Sequence, residues 1–238
     1  MAFHAMEISF PLEYQPPFWR WKPIDFISHF VGHEGPGSLH SYLKNKHWVS
    51  SLNTGQQNLA RGFAMFKITI HLTSEGFSKY HNFVSAFSLN SSTGNYRSVI
   101  LAAYKYLALL RSSVFEPFHQ LEQATISSTR FRFIEKKRPD NYATWITEHM
   151  AWPVPRELLL AGPQLILDEG SQQGTGERKV REYLESFRVR ESRVVLMAKA
   201  EEHAKVHPEY RWETEPWYGT EYNVQRFDKA FITEVKIT

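Results

Sequence analysis

Two histidines and a carboxylate stand close together in the first part of the chain. His29 and His33 are four residues apart, and Glu34 follows the second histidine directly. A four-residue spacing places two imidazoles on one face of a helix, where both can ligate zinc. The zinc-peptidase motifs H-E-x-x-H and H-x-x-E-H place the glutamate between the histidines, and neither order occurs in this sequence. His29 and His33 are therefore an incomplete ligand pair, for which the sequence identifies no third ligand.

The residues after this pair favour binding over chemistry. A glycine-rich hinge, Gly35–Gly37, leads to a capping serine at Ser38 and then to a strand-like segment, Val49–Leu52. A strand with an exposed edge can accept an extended peptide as a further strand. The carboxylate of Glu34 would then bind a cationic group such as the amino terminus of that peptide. A solvated acid beside an ordinary hairpin explains the same residues equally well.

The composition narrows the class of protein. With 238 residues, 42% of them hydrophobic, the chain can form one large or two small globular domains. The net charge of +3 comes from 28 basic and 25 acidic residues, which gives no general reason to expect a nucleic-acid partner. Local basic clusters at Arg130–Arg132 and Lys136–Arg138 alternate with phenylalanines, and we interpret them as one solvated face of a strand.

Cysteine is absent, which excludes disulfides, thiolate metal sites and a cysteine nucleophile. No run approaches the roughly 20 apolar residues of a membrane span. The first residues also lack the layout of a signal peptide. From these features we expect a cytoplasmic protein without a membrane span.

Hydrophobic periodicity predicts the elements that surround the candidate site. Helical spacing of apolar residues begins at Pro23, and a second, longer helix is predicted over Val99–Arg111. In Gly62–Thr73 one of the two alternating sets of residues is the more apolar, which predicts a strand that faces the core with Ala64, Phe66, Ile68, Ile70 and Leu72. Residues 129–135 are predicted to be extended, and Glu213–Tyr222 shows little regular pattern.

Several strings along the chain resemble one known family. They are GHEGPGSL at Gly32–Leu39, KNKHWVSSL at Lys44–Leu52, Arg61–Phe63, FRFIEKKRP at Phe131–Pro139, the predicted helix from Tyr142, and EPWYGTEY at Glu215–Tyr222. In this order they resemble the second domain of the insulin-degrading members of the pitrilysin/insulinase family of zinc metallopeptidases. The likeness covers nearly the whole chain. It implies an α+β fold in which a mostly antiparallel sheet carries helices on one face.

The resemblance also implies a domain organisation. Residues 1–212 correspond to the family's second domain, with an insertion at 84–94 and an exposed loop at 162–176. Residues 213–238 correspond to a C-terminal wrapping segment that leads toward a following domain. The family's zinc lies in its first domain, which this chain is expected to lack. We therefore expect no catalytic residue and no cofactor in the chain, zinc in the full-length enzyme, and that catalytic domain as a partner.

In the family, the second domain carries an exosite that anchors the N-terminal end of a peptide substrate. The positions that match this exosite are His29, Gly32, Glu34, Leu52, Thr54 and Gln56. Thr54 stands where relatives have glycine, so it adds a side chain beside the expected peptide path.

Three hypotheses follow. The first is a non-catalytic peptide-binding domain that uses the exosite residues. The second is an active metallohydrolase that uses His29, His33 and an unknown third ligand. The third is a structural remnant that binds nothing.

Overall fold

A four-stranded antiparallel sheet forms the centre of the protein. The computed structural model describes residues 4–78, 94–113, 115–167 and 175–236. The strands lie in the order β2–β3–β1–β4. Their bounds are Ala5–Glu13 (β1), Val49–Ala60 (β2), Phe63–Leu72 (β3) and Arg193–Met197 (β4).

Helices and a small hairpin complete the described structure. The helices are Pro23–Val31 (α1), Leu39–Asn45 (α2), Ser74–Phe77 (α3), Tyr96–Ser112 (α4), Pro117–Arg132 (α5), Pro139–His149 (α6), Thr175–Ser186 (α7), Ala200–Val206 (α8) and Lys229–Lys236 (α9). Short 3₁₀ helices cover Pro16–Phe18, Arg156–Leu158 and Val189–Glu191. The hairpin strands are Glu213–Thr214 (β5) and Glu221–Tyr222 (β6).

The main core lies on one face of the sheet. As predicted, alternate residues of β3 are buried there: Ala64, Phe66, Ile68, Ile70 and Leu72. Apolar side chains of β1, α1, α2, α4 and α7 belong to the same core. On the other face a salt bridge of 3.1 Å joins Lys67 of β3 to Glu7 of β1. The predicted α+β class, with helices on one face of an antiparallel sheet, is confirmed.

The two helices that flank the predicted hinge begin where the sequence indicates. Pro23 occupies the first turn of α1. Ile24, Ile27 and Val31 lie on one side of that helix and are buried in the core. The Ser38 hydroxyl accepts a hydrogen bond of 3.1 Å from the backbone N–H of Ser41 at the start of α2. The predicted N-cap is therefore confirmed.

The prediction of an extended segment at residues 129–135 is wrong for the first half of that segment. Residues up to Arg132 continue α5, and no strand forms in the described residues that follow as far as α6. A capping box between Glu116 and His119 starts this helix. Arg130 and Arg132 lie in its last turn, where positive charges stabilise the carbonyl end of the helix dipole. The alternating phenylalanines and arginines therefore belong to a helix end and not to a strand.

Some predicted features fall partly or wholly outside the described residues. Of the expected insertion at 84–94, the structure describes Gly94 alone; of the expected loop at 162–176, it leaves out residues 168–174. The described ends of that loop form turns at 162–165 and the start of α7.

Glu213–Tyr222 is more regular than predicted, because it contains the β5–β6 hairpin. No helix among the described residues is long and apolar enough to span a membrane.

Candidate functional site

A cleft of about 840 Å³ lies between α1, the edge strand β2 and α5. Residues from the turn before α7 close one end of it. The residues that line the cleft are Lys22, Asp25, Ser28, His29, Gly32, His33, Glu34, Leu52, Asn53, Thr54, Gly55, Gln56, Gln123, Ile126, Ser127, Arg130, Phe131, Gln164 and Ile166. All six residues of the expected exosite belong to this lining, together with His33.

Helix α1 forms one wall of the cleft because it is amphipathic. Its apolar stripe is buried in the core. The residues of the opposite stripe recur every three or four positions and line the cleft. That stripe consists of Asp25, Ser28 and His29, and Gly32 and His33 continue the wall just beyond the end of the helix. Asp25 was missed in the sequence analysis, although its position four residues before His29 places it on the same helix face.

Strand β2 forms a second wall and is an edge strand of the sheet. It pairs with β3 on one side, and no strand of the described residues pairs with its other side. The five consecutive residues 52–56 all line the cleft, so both alternating sets of side chains reach it. The unpaired backbone edge therefore faces the cleft, which is the arrangement that strand addition requires.

Thr54 joins the two walls. Its Oγ1 donates a hydrogen bond of 2.9 Å to the backbone carbonyl of Ser28, and the two hydroxyls of this pair lie 2.7 Å apart. Thr54 pairs with Ile68 of β3, so its side chain lies on the core side of the sheet. The side chain that was expected to stand beside the peptide path is thus tied to α1.

Gly32 is needed at the end of α1 because of this contact. A Cβ at residue 32 would lie 2.9 Å from Thr54 Oγ1 and 3.0 Å from the carbonyl oxygen of Ser28. Any larger side chain would push β2 and α1 apart. Glu34 follows two residues later in the exposed hinge, at the mouth of the cleft.

The two histidines have unequal surroundings. The ring centroids of His29 and His33 are 5.9 Å apart and the rings are tilted. Burial lowers the pKa of His29, and the nearby carboxylate of Glu122 opposes that shift. Within the described parts of the chain, no three histidine, cysteine, aspartate or glutamate side chains are grouped closely enough to hold a metal ion.

Lys22 and Asp25 both line the end of the cleft near the start of α1, without a salt bridge between them. The ammonium of Lys22 donates hydrogen bonds to the carbonyls of Trp19 at 2.6 Å, Gly162 at 2.8 Å and Leu165. Burial lowers the pKa of Lys22 to about 8, and Asp25 opposes this shift. Desolvation in the cleft raises the pKa of Asp25, and the charge of Lys22 opposes this shift.

Helix α5 supplies the third wall, which the sequence analysis did not find. Gln123 and Arg130 from this helix line the cleft. In the described structure, Nε2 of Gln123 and Oε1 of Gln56 are buried without a hydrogen-bond partner. Buried polar atoms are rarely left unpaired, so these two mark a place where a bound group can add hydrogen bonds after small side-chain movements.

Comparison with known proteins identifies the family. A family model described as the peptidase M16 inactive domain matches residues 2–112. A second model, described as the middle or third domain of peptidase M16, matches residues 131–238. The chain belongs to the peptidase M16 family. The family resemblance noted from the sequence strings is therefore confirmed.

Curated relatives extend far beyond this chain. It is 29% identical over 215 residues to insulin-degrading enzyme of Homo sapiens, covering 90% of this chain and 18% of that protein. It is 26% identical over 232 residues to the A-factor-processing enzyme of Saccharomyces cerevisiae, covering 97% of this chain and 20% of that protein. The M16 chain thus spans about a fifth of the length of these relatives.

Solved structures show the same fold. The M16 chain superposes on pitrilysin with a TM-score of 0.79 at 18% identity, covering 100% of this chain and 22% of that one. A protease from Helicobacter pylori matches with a TM-score of 0.54 at 14% identity, covering 82% of this chain and 41% of that one. At these identities the likeness concerns the fold alone.

Proposed function

We propose that this M16 chain is a non-catalytic peptide-binding domain of an insulin-degrading-type zinc metalloendopeptidase. It anchors the N-terminal end of a peptide substrate while a separate catalytic domain of the same family cleaves the peptide. One observation carries the proposal: His29, Gly32, Glu34, Leu52, Thr54 and Gln56 all line one cleft beside the unpaired edge of β2. Peptides and the catalytic domain are the partners, and the cytoplasm is the location that the cysteine-free composition favours.

Strand addition supplies the main part of the binding in this proposal. An extended peptide that lies along residues 52–56 pairs its backbone N–H and carbonyl groups with those of β2. The tie between Thr54 and Ser28 keeps α1 in place beside that edge, so the cleft is formed before the peptide arrives. Binding of this kind places the substrate but leaves the barrier of the chemical step unchanged.

Glu34 gives the peptide a direction. The carboxylate lies in the exposed hinge, and no hydrogen bond or salt bridge of the described residues engages it. It is therefore free to accept hydrogen bonds from the ammonium group of a peptide's first residue. A peptide bound in the opposite direction would place its carboxylate there, which like-charge repulsion disfavours.

The runner-up is a metallohydrolase that uses His29 and His33. Their ring centroids are 5.9 Å apart, which supports a two-histidine pair, but the predicted shared helix face is wrong because α1 ends at Val31 and His33 lies two residues beyond it. A catalytic zinc site needs three protein ligands, and the described residues group no three ligand side chains together. A structural remnant that binds nothing is the remaining alternative.

The test is calorimetric titration of the purified chain with a peptide that has either a free or an acetylated amino terminus. We expect saturable binding of the free peptide, and Glu34→Ala should weaken it about 5-fold or more, since a charge-assisted hydrogen bond contributes about 1 kcal/mol or more. Glu34→Ala should hardly affect the acetylated peptide, because the interaction is already lost. Glu148→Ala, an exposed carboxylate on α6, is the matched control. Equal effects on both peptides would contradict the role of Glu34.

A further inference from the structure

The cleft contains a second carboxylate, Asp25, for which the proposed function has no role. Asp25 lies in the first turn of α1, on the same stripe as His29. Glu34 lies just beyond the other end of that helix. The two carboxylates therefore mark opposite ends of one wall of the cleft.

The carboxylate of Asp25 is available to a ligand. Among the described residues, no hydrogen bond or salt bridge engages it. Its charged neighbour Lys22 acts on it through space only, since the ammonium directs its donors to the carbonyls of Trp19, Gly162 and Leu165. A carboxylate in a cleft without a hydrogen-bonded partner gains from a cation that brings its own donors.

Other charged side chains line the same cleft and limit the ligands it can take. Arg130 on α5 is exposed to solvent, and burial favours the neutral form of His29. No salt bridge in the described structure joins either side chain to Asp25, and the charge of Arg130 acts on His29, one helical turn beyond Asp25. The end of the cleft at Asp25 thus presents one carboxylate. Its charged neighbour on the same helix turn, Lys22, already donates its hydrogen bonds to backbone carbonyls.

The length of α1 relates this carboxylate to a position in the peptide. Asp25 and Gly32 are seven residues apart, which corresponds to about 10 Å along a helix axis. An extended peptide rises about 3.4 Å per residue, so roughly three residues span that distance. A peptide that runs alongside α1, with its first residue beside Gly32 and its ammonium group directed toward Glu34, therefore brings its third or fourth residue near Asp25.

We propose that Asp25 binds a lysine or arginine side chain at about the third or fourth position of the anchored peptide. The cleft then selects peptides that carry two cationic groups, the terminal ammonium and a basic side chain a few residues later. This inference rests on the proposed function, because it takes the peptide's direction from Glu34.

A position scan tests this selection. Otherwise identical peptides with a free amino terminus and no other charged side chain carry one lysine at one position from two to six, and glutamine replaces the lysine in the reference peptide. Calorimetric titration should give the highest affinity for lysine at position three or four, about 5-fold above the reference, since a charge-assisted hydrogen bond contributes about 1 kcal/mol. Wild-type protein that binds all these peptides equally would overturn the inference.

Two variants separate this inference from the proposed function. Asp25→Asn should bring the lysine-to-glutamine affinity ratio close to one, whereas Asp140→Asn, an exposed aspartate on α6, should keep the wild-type ratio. Glu34→Gln should weaken the lysine and glutamine peptides by the same factor. If Asp25→Asn weakens both peptides equally, Asp25 does not read the basic side chain and the inference fails while the proposed function stands. If no peptide saturates the wild-type chain, both fail; if Asp25→Asn does not fold, the wild-type scan alone decides.

Discussion

Thr54 and Gly32 set the width of the cleft at the scale of single residues. The Thr54 hydroxyl is hydrogen-bonded to Ser28, and this brings β2 so close to α1 that residue 32 has no room for a Cβ. The threonine thus has two effects. It holds the walls together, and it makes any side chain at residue 32 on the opposite wall costly.

This contact predicts a coupled pair of substitutions. Gly32→Ala should lower the free energy of unfolding by about 1–3 kcal/mol, because a Cβ must displace Thr54 Oγ1 from 2.9 Å. Thr54→Ala alone should cost about 1 kcal/mol for its hydrogen bond. In the double variant the two losses should fall short of additivity by about 1 kcal/mol, since the atom that clashes is gone.

Urea denaturation of the four proteins measures this coupling. Gly55→Ala is the matched control, because a Cβ at residue 55 meets no atom within 4 Å. Additive losses for residues 32 and 54 would show that the two walls do not touch through Thr54.

The expected site residues could be listed from the sequence because they lie in two short strings with a strong family resemblance. Asp25 is also accessible to sequence reasoning, since it precedes His29 by one helical turn. Gln123 and Arg130 are not, because no local pattern shows that a helix some ninety residues later along the chain packs beside α1. Which side chains share a cleft is decided by long-range packing.

Strand β2 is the element on which the proposed binding depends. It is unpaired on one side in the described structure, and its residues 52–56 face the cleft. An open edge of this kind is a hazard for aggregation unless another element covers it. Here α1 and α5 leave a passage beside the edge that a single extended chain can enter.

Strand addition predicts an alternating response to backbone methylation of the peptide. Successive N–H groups of an extended peptide point to opposite sides, so every second one donates to β2. N-methylation of those amides should weaken binding about 5-fold or more, whereas methylation of the intervening amides should have little effect. Titration calorimetry on a set of singly methylated peptides gives the pattern. A response without a period of two would exclude β2 as the pairing edge.

The element predictions succeeded where the apolar period was long and failed where it was short. Twelve residues with one more apolar alternating set at Gly62–Thr73 predicted β3 and its buried face, and Pro23 and Ser38 predicted two helix starts. Residues 129–135 offered only a few alternating residues, which also suit the end of a helix. The capping box that begins at Glu116, thirteen positions earlier, starts a helix that continues through this segment as far as Arg132.

At the scale of the whole molecule, the cleft unites elements that are far apart in the sequence. Its walls come from residues 22–34, residues 52–56, one face of α5 and the turn at 164–166. The sheet and its core position the first two walls, and Lys22 ties the start of α1 to the turn through carbonyls of residues 162 and 165. A change in any of these elements should therefore alter peptide binding.

The M16 family includes enzymes about five times as long as this chain, and one of the two matching models describes an inactive domain. A domain that only holds the substrate must bind peptides without cleaving them. A metallohydrolase built on His29 and His33 must cleave them in a zinc-dependent way. The two accounts differ in one observable, turnover of a bound peptide.

The most direct measurement therefore follows one peptide by titration calorimetry and by mass spectrometry, with the purified chain and added zinc. The account predicts saturable binding and an intact peptide after prolonged incubation, with or without a chelator. Cleavage that a chelator abolishes and that His29→Ala or His33→Ala removes would contradict it and establish the chain as a metallopeptidase.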